Sequence, residues 1–248
     1  MGDRSLAVVM PALNEEDGIE IAVGEALRCG ERLIAAGSLD RAEVVIVDDG
    51  STDRTPELLA HLASVHPNLV VVRHQTNRGL GAAVRSGLRA ASANFVFYTD
   101  SDLPVDLAVV DQALDVLDAR PEVAAVSCYR TSRDDEGPRR FVYSLIYNGL
   151  VRTVLGLRVR DVNFAAKLLR AEALDGMDLR SEGSFIDAEL LARLGRRGHE
   201  IAQFPAEYHA RSKGVSTLSS MSVIRTIMEE FWTLAPQIRR ERRAVPAR

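Results

Sequence analysis

Two stretches of this chain crowd carboxylates where an aliphatic run gives way to a turn. VVIVDDGSTDRTPELL, Val44 to Leu59, puts Asp48, Asp49 and Asp53 within six positions, and NFVFYTDSDLPVD ends its aliphatic run in Asp100, Ser101 and Asp102. Like charges at that density repel unless hydrogen-bond donors or a cation answer them. Asp100 and Asp102 supply hard oxygen ligands one residue apart, which suit Mg2+ or Mn2+. A metal held there would bridge a diphosphate and stabilise it as a leaving group. On its own a D-x-D is also common as a capping or solvated pair. Asp48 closes a strand, where its side chain can accept a hydrogen bond from a nucleobase N–H or a ribose hydroxyl. Asp53 and Thr55, followed by Pro56, read instead as a helix start.

The elements that position these groups follow from periodicity. Short aliphatic runs at Leu6 to Met10, Val44 to Val47, Leu69 to Val72, Phe95 to Tyr98 and Val123 to Ser127 predict strands. Helical patterns lie between them, at Ile19 to Ala36, Pro56 to Ser64, Leu80 to Ala91 and Leu107 to Ala119. This alternation predicts an α/β fold: a mostly parallel central sheet flanked by helices, with ligands at the carboxyl ends of the strands. Beyond Arg130 the chain becomes mixed, with an apolar segment at Phe141 to Leu157, a strand through Asn163 to Leu169, a helix through Ile186 to Leu194 and a strand near Glu200 to Phe204.

Composition narrows the class. The 248 residues, 46% of them hydrophobic, suffice for one large α/β domain with a substantial core. A net charge of -4 gives no global basic field, so nucleic acid is not an expected partner and any anionic ligand must meet a local basic patch. Cys29 and Cys128 stand far apart without metal-ligand spacing and predict two buried thiols in a reducing compartment. The N-terminal apolar run is too short for a signal peptide, and no run of about 18 apolar residues occurs. The expected location is the cytoplasm.

VVMPALNEE, VVIVDDGSTD, NRGLGAAVRSGL and YTDSDLP, in that order, resemble the nucleotide-diphospho-sugar glycosyltransferases of family 2, which have the GT-A fold. DVNFAAKLLR, IDAELLARLGRRGHEIAQFPAEYHAR and KGVST extend the resemblance to about Thr217 and are most similar to the dolichyl- and polyprenyl-phosphate sugar transferase branch. The resemblance implies a GT-A domain over 1–218, with an amphipathic helix and basic tail over 219–248. It implies that Pro11, Leu13 and Glu15 line the base and ribose pocket and that Asp48 recognises the base. Asp100, Ser101 and Asp102 would face the metal and the sugar diphosphate, with Asp102 the stronger ligand. Gly79 either lets backbone approach the nucleotide or packs a helix start on the sheet. The branch often carries a glutamine two residues past its D-x-D, where this chain has Pro104, so the metal would lean more on diphosphate and water.

Arg130, Arg139 and Arg140, with Ser144, fall on the side expected to hold an acceptor phosphate. Arg211, Lys213 and Ser216 resemble the family's R-x-x-G-x-S phosphate motif. The acceptor decides the mechanism. A lipid phosphate is already anionic and needs no general base, whereas an alcohol needs a carboxylate to take its proton. Asp187 resembles the base position of hydroxyl-glycosylating relatives, and Asp161 resembles an acid near sugar and acceptor in the lipid-phosphate branch. The carrier is a guanosine or uridine diphosphate, and a non-catalytic nucleotide-sugar-binding protein is a further alternative. No G-x-G-x-x-G follows the first strand, which argues against a dinucleotide-binding oxidoreductase. A flavodoxin-like signalling domain would leave the basic motifs unexplained.

A lipid acceptor also requires contact with a bilayer. Met221, Ile224, Met228 and Phe231 recur at helical spacing, with Ile227 and Trp232 alongside, ahead of Arg239, Arg240, Arg242 and Arg243. Such a basic-ended amphipathic helix can lie in a headgroup layer or pack its apolar stripe on the domain. Phe141 to Leu157 is a second candidate, so a peripheral membrane location is an added expectation.

Overall fold

The computed structural model describes residues 4–131, 138–208 and 221–241. Among them, strands β1 (Ser5–Ala12), β2 (Arg41–Asp48), β3 (Leu69–Arg73), β4 (Phe95–Thr99), β5 (Val123–Arg130), β6 (Ala166–Arg170) and β7 (Glu200–Ala206) form one sheet in the order β3-β2-β1-β4-β6-β5-β7. β3, β2, β1 and β4 run parallel, β5 and β7 run parallel, and β6 lies antiparallel between the two blocks. The chain leaves β1 toward β2 on one side and later returns to β4 on the other. This reversal opens a crevice at the carboxyl ends of β1 and β4, the usual ligand position in open α/β sheets.

Every residue of β1 is buried, as expected for a parallel strand covered on both faces. Helices α1 (Ile19–Ala35), α2 (Thr55–Val65) and α4 (Val109–Ala119) bury their apolar stripes in a core on one face. A second core takes Val84 of α3 (Leu80–Ala90), Val151 and Leu155 of α5 (Pro138–Leu155), most of α6 (Ile186–Arg196) and the apolar stripe of α7 (Met221–Arg240). Gly87 of α3 touches the sheet so closely that a β-carbon would overlap the side chain of Val9.

The strand expected at Asn163 to Leu169 begins only at Ala166. Residues before it turn instead, with Phe164 N–H donating to the Asp161 carbonyl at 3.2 Å and Ala166 N–H to the Phe164 carbonyl at 2.9 Å. The helix expected from Leu107 starts at Val109, because Asp106 Oδ1 takes the Ala108 amide at 2.8 Å and holds a turn ahead of it.

On α7 the buried positions are Ile227, Phe231, Leu234, Ala235 and Ile238, and the Phe231 ring meets Phe185 edge to face at 5.8 Å. The helix therefore packs its stripe on the domain and leaves Trp232 outside, 60% exposed. The boundary expected between 218 and 219 falls outside the described residues. Among the described residues, no helix is long and apolar enough to cross a membrane.

Candidate active site

The crowded aspartates after β2 are each answered differently. Asp48 is fully buried; its Oδ1 accepts the Ser51 amide at 2.9 Å, and its Oδ2 lies 3.3 Å from Arg73 Nε. The β2–β3 register sets Asp48 beside Arg73, and the β1–β2 register sets it beside Ala12. Asp49 turns away beneath the glycine loop, where it accepts the Arg78 amide at 3.0 Å and the Gly79 amide at 2.8 Å. His74 Nδ1 meets the same carboxylate at 2.6 Å, and its Nε2 lies 2.9 Å from Ser86 Oγ. Asp53 accepts the Thr55 amide at 2.9 Å and the Glu16 amide at 3.1 Å. Its slight burial works to raise its pKa, but the hydrogen bonds from Thr55 and Glu16 outweigh it and hold the carboxyl below the usual range.

These bonds also tie the β1 loop to the β2 loop. Asn14 N–H donates to Ser51 Oγ at 2.9 Å, and Glu15 N–H donates to Thr55 Oγ1 at 2.8 Å. Pro11 ends buried within β1, and Leu13, 38% exposed, faces solvent beside Asn14, whose φ is 54°. Pro11, Leu13, Glu15 and Asp48 thus share one rim of the crevice. Gly79 is part of this rim through Asp49, and its φ of 90° lies in the region glycine favours.

Asp100, Ser101 and Asp102 follow β4 on the other side of the switch point. Ser101 is buried and the two aspartates are half-buried. Leu103 N–H donates to the Asp100 carbonyl at 3.1 Å, and Leu103 takes a φ of 48°, so the D-x-D lies on a tight turn. Among the described residues, no three His, Cys, Asp or Glu side chains are grouped to hold a metal ion. Two carboxylates with Pro104 in place of a further polar ligand suit a divalent cation whose remaining ligands come from diphosphate and water.

Arg130 ends β5 and pairs with Asp161: Nε donates to Oδ2 at 2.7 Å and a terminal nitrogen to Oδ1 at 3.2 Å. Its guanidinium lies 5.5 Å from the rings of both Phe164 and Tyr208. Tyr129, Arg130, Thr131, Arg160 and Asp161 line an open cavity of about 390 Å³. Arg160 stands over the Tyr129 ring at 4.7 Å. Neither Tyr129 nor Arg160 was a sequence candidate; an arginine directly before Asp161 was the available signal. Arg139, Arg140 and Ser144 fall on the first turns of α5, but their side chains lie outside the described residues, as do Arg211, Lys213, Ser216, Arg242 and Arg243 altogether.

Asp187 lies inside the fold, beside Lys167 and near enough to Asp161 for the two carboxylates to repel. It is 3% exposed and accepts from the fully buried Lys167 ammonium at 2.5 Å, which also donates to the Phe164 carbonyl at 2.6 Å. Burial raises its pKa, and the Lys167 charge opposes that rise. The carboxylate is committed to an interior ion pair rather than held open to an acceptor hydroxyl. Glu189, two residues further into α6, pairs with buried Arg193 at 2.7 Å.

Comparison with known proteins accounts for this arrangement. A model of glycosyl transferase family 2 matches residues 7–177. The chain belongs to that family. Dolichyl-phosphate hexose transferase of Haloferax volcanii is 31% identical over 209 residues, 84% of each protein. Polyprenol monophosphomannose synthase of Mycolicibacterium smegmatis is 29% identical over 229 residues, 87% of this chain and 82% of that one. Glycosyltransferase AglD of Haloferax volcanii is 29% identical over 95% of this chain, which spans only 38% of AglD. Among solved structures, glucosyl-3-phosphoglycerate synthase of Mycobacterium tuberculosis, in complex with Mn2+, uridine diphosphate and phosphoglyceric acid, superimposes with a TM-score of 0.69. It shares 22% identity, with 94% of this chain and 78% of that one covered, and shows the fold, GT-A. The family match ends before Asp187 and the Arg211 motif.

Proposed function

We propose that this protein transfers a hexose, with inversion, from a nucleoside diphosphate to a polyprenyl phosphate. The observation that carries the reading is the arginine-lined cavity at the end of β5, in a family 2 chain whose D-x-D ends nearby β4. The names of the Haloferax and Mycolicibacterium relatives support the same acceptor class.

On this reading Asp48 and the rim of Pro11, Leu13 and Glu15 hold the nucleoside, and Asp100 and Asp102 hold a divalent cation. A cation held there would supply charge neutralisation for the diphosphate. An acceptor phosphate oxygen bonds to the anomeric carbon in line while the bond from that carbon to the diphosphate breaks, its electrons leaving with the nucleoside diphosphate. Arg130 and Arg160 neutralise the incoming phosphate, and Asp161 fixes the Arg130 fork. No proton has to be removed, which suits a site whose candidate base, Asp187, is engaged by Lys167.

Leu145 and Ile146 of α5 and Trp232, Arg239 and Arg240 of α7 are exposed, and on this reading they are the groups available to a headgroup layer. A second reading, transfer to a water-soluble phosphorylated acceptor, has the phosphoglyceric acid complex of the Mycobacterium tuberculosis neighbour in its favour.

One panel separates the readings. Guanosine and uridine diphosphate sugars are offered with a short-chain polyprenyl phosphate or with a soluble phosphorylated hydroxy acid, with and without Mn2+. Faster transfer to the polyprenyl phosphate is expected, and Asp102→Asn should lose it together with the Mn2+-dependent part of nucleotide binding. Preference for the soluble acid moves the assignment to the second reading. Tight binding without transfer to either acceptor leaves a nucleotide-sugar-binding protein.

A further inference from the structure

Residues 180–183 connect β6 to α6 in an unusual way: the N–H groups of all four are taken by two carboxylates. Glu189 of α6 accepts the Arg180 amide at 2.9 and 3.0 Å and the Ser181 amide at 2.7 Å. Glu230 of α7 accepts the Glu182 amide at 2.7 Å, the Gly183 amide at 2.8 Å and the Ser181 hydroxyl at 2.9 Å. With its donors fixed on that side, the loop turns its carbonyls toward the start of α3. The Glu182 carbonyl accepts the Gly81 amide at 2.8 Å, and the Ser181 carbonyl accepts from the Arg85 guanidinium. The fit is close enough that a β-carbon on Gly79 or Gly81 would overlap these carbonyl oxygens. The glycine loop is therefore gripped from two sides, by Asp49 through the Arg78 and Gly79 amides and by Glu182 through the Gly81 amide.

We propose that Glu230 is a positioning residue for the donor end of the site: from the C-terminal helix it sets the 181–183 loop, which in turn sets the backbone of Gly79 to Gly81 against the nucleoside diphosphate. This inference rests on the proposed reading of that rim as the donor side. A carboxylate receiving three hydrogen bonds from one short loop restricts it far more than a single bond does. Charge-assisted bonds of this kind are also the stronger class. Glu230 touches no substrate, so its removal should act on donor affinity and leave the chemical step in place.

The test uses the full chain and Glu230→Ala, with two readouts. Amide hydrogen exchange without ligand should quicken at Gly81 and at residues 181–183, by about tenfold or more. The dissociation constant for the preferred nucleoside diphosphate and the KM for its sugar should rise about tenfold, a loss of about 1.4 kcal/mol, with kcat within about twofold. Glu230→Gln, which keeps an oxygen for the two amides, should recover most of the affinity. If Glu230→Ala does not fold, Ser181→Ala removes one donor to the same carboxylate and should shift both readouts in the same direction by about threefold. Unchanged donor affinity in a variant whose Gly81 exchange has quickened overturns the proposal, as does unchanged exchange. Should the wild-type protein bind no nucleoside diphosphate at all, the donor reading fails and takes this inference with it. Binding by the wild type with an unaltered variant sinks this inference alone.

Discussion

The two halves of the sheet meet most of their carboxylates with different partners, Asp48 beside Arg73 being the exception in the first half. At the β1–β2 end, Asp49 and Asp53 are met chiefly by backbone amides, with His74 the one ring partner of Asp49. In the β5–β6 half, Asp161 and Asp187 are met by the side-chain cations of Arg130 and Lys167, while Glu189 takes both Arg193 and the amides of Arg180 and Ser181. A carboxylate answered by amides stays answered when side chains change, so it suits loops that must present backbone to a ligand. A carboxylate answered by a buried cation depends wholly on that partner, because either charge left alone in the interior is strongly unfavourable. The first half is thus built to hold loop shape, and the second to hold charge.

The largest expected effect breaks the second arrangement. Lys167→Met should destabilise the protein by about 3–5 kcal/mol at pH 7 in urea unfolding, since it strands Asp187 in the interior. Lys167→Met with Asp187→Leu should recover most of that loss. Burial already raises the Asp187 pKa, so the folded variant holds its proton to higher pH than the unfolded chain does. Its deficit should therefore grow as pH rises from the unfolded carboxyl's value to the raised folded one, level off above that, and shrink again as pH falls back toward the unfolded value. A deficit independent of pH, or a double variant no better than the single, would remove the contrast between the halves.

Asp48 tests the β1–β2 half. Asp48→Ala should weaken nucleoside diphosphate binding by about 1–3 kcal/mol in calorimetry, leaving a ligand donor without its acceptor. Unchanged affinity would make the stretch after β2 a helix start and nothing more.

Asp53 provides the opposite pH sign. Its folded pKa is held below the usual range, so its contribution is present above the unfolded value of about 4 and is lost as pH falls through the folded one. Asp53→Ala should cost about 0.5–2 kcal/mol at pH 7 and flatten the acid limb of the stability curve. An unaltered acid limb would separate Asp53 from the amide-anchored group.

The smallest effect concerns the thiols. Burial pushes Cys29 up to about 11 and Cys128 to about 12, so neither should react with a disulfide reagent in the native protein near pH 8. Rapid labelling of either one would place its half of the sheet in an opened state.

Much of the half from β1 to β4 was legible in the sequence because its signals are local. Five aliphatic runs gave five strands, and Asp53 with Thr55 and Pro56 marked the start of α2. Asp48 and the D-x-D were placed by their positions at strand ends, which alternation alone predicts. The β5–β6 half was less legible. Asp187 reads as an available acid until β6 and α6 meet, and only then does Lys167, twenty positions earlier, close on it. The antiparallel strand β6 between two parallel blocks likewise left no mark in its own five residues.

The sequence by itself determined the strand–helix alternation, the carboxylates at strand ends and the family motifs. Those depend on periodicity and on neighbours within a few positions. Tertiary structure alone decided which charges meet: Asp49 with His74 and Gly79, Asp161 with Arg130, Asp187 with Lys167, and Glu230 with the loop ahead of α6. A carboxylate's role is set by the donor within about 3 Å of it. In these pairs that donor is 25 to 49 residues away for all but Lys167, at 20, a separation no local pattern encodes.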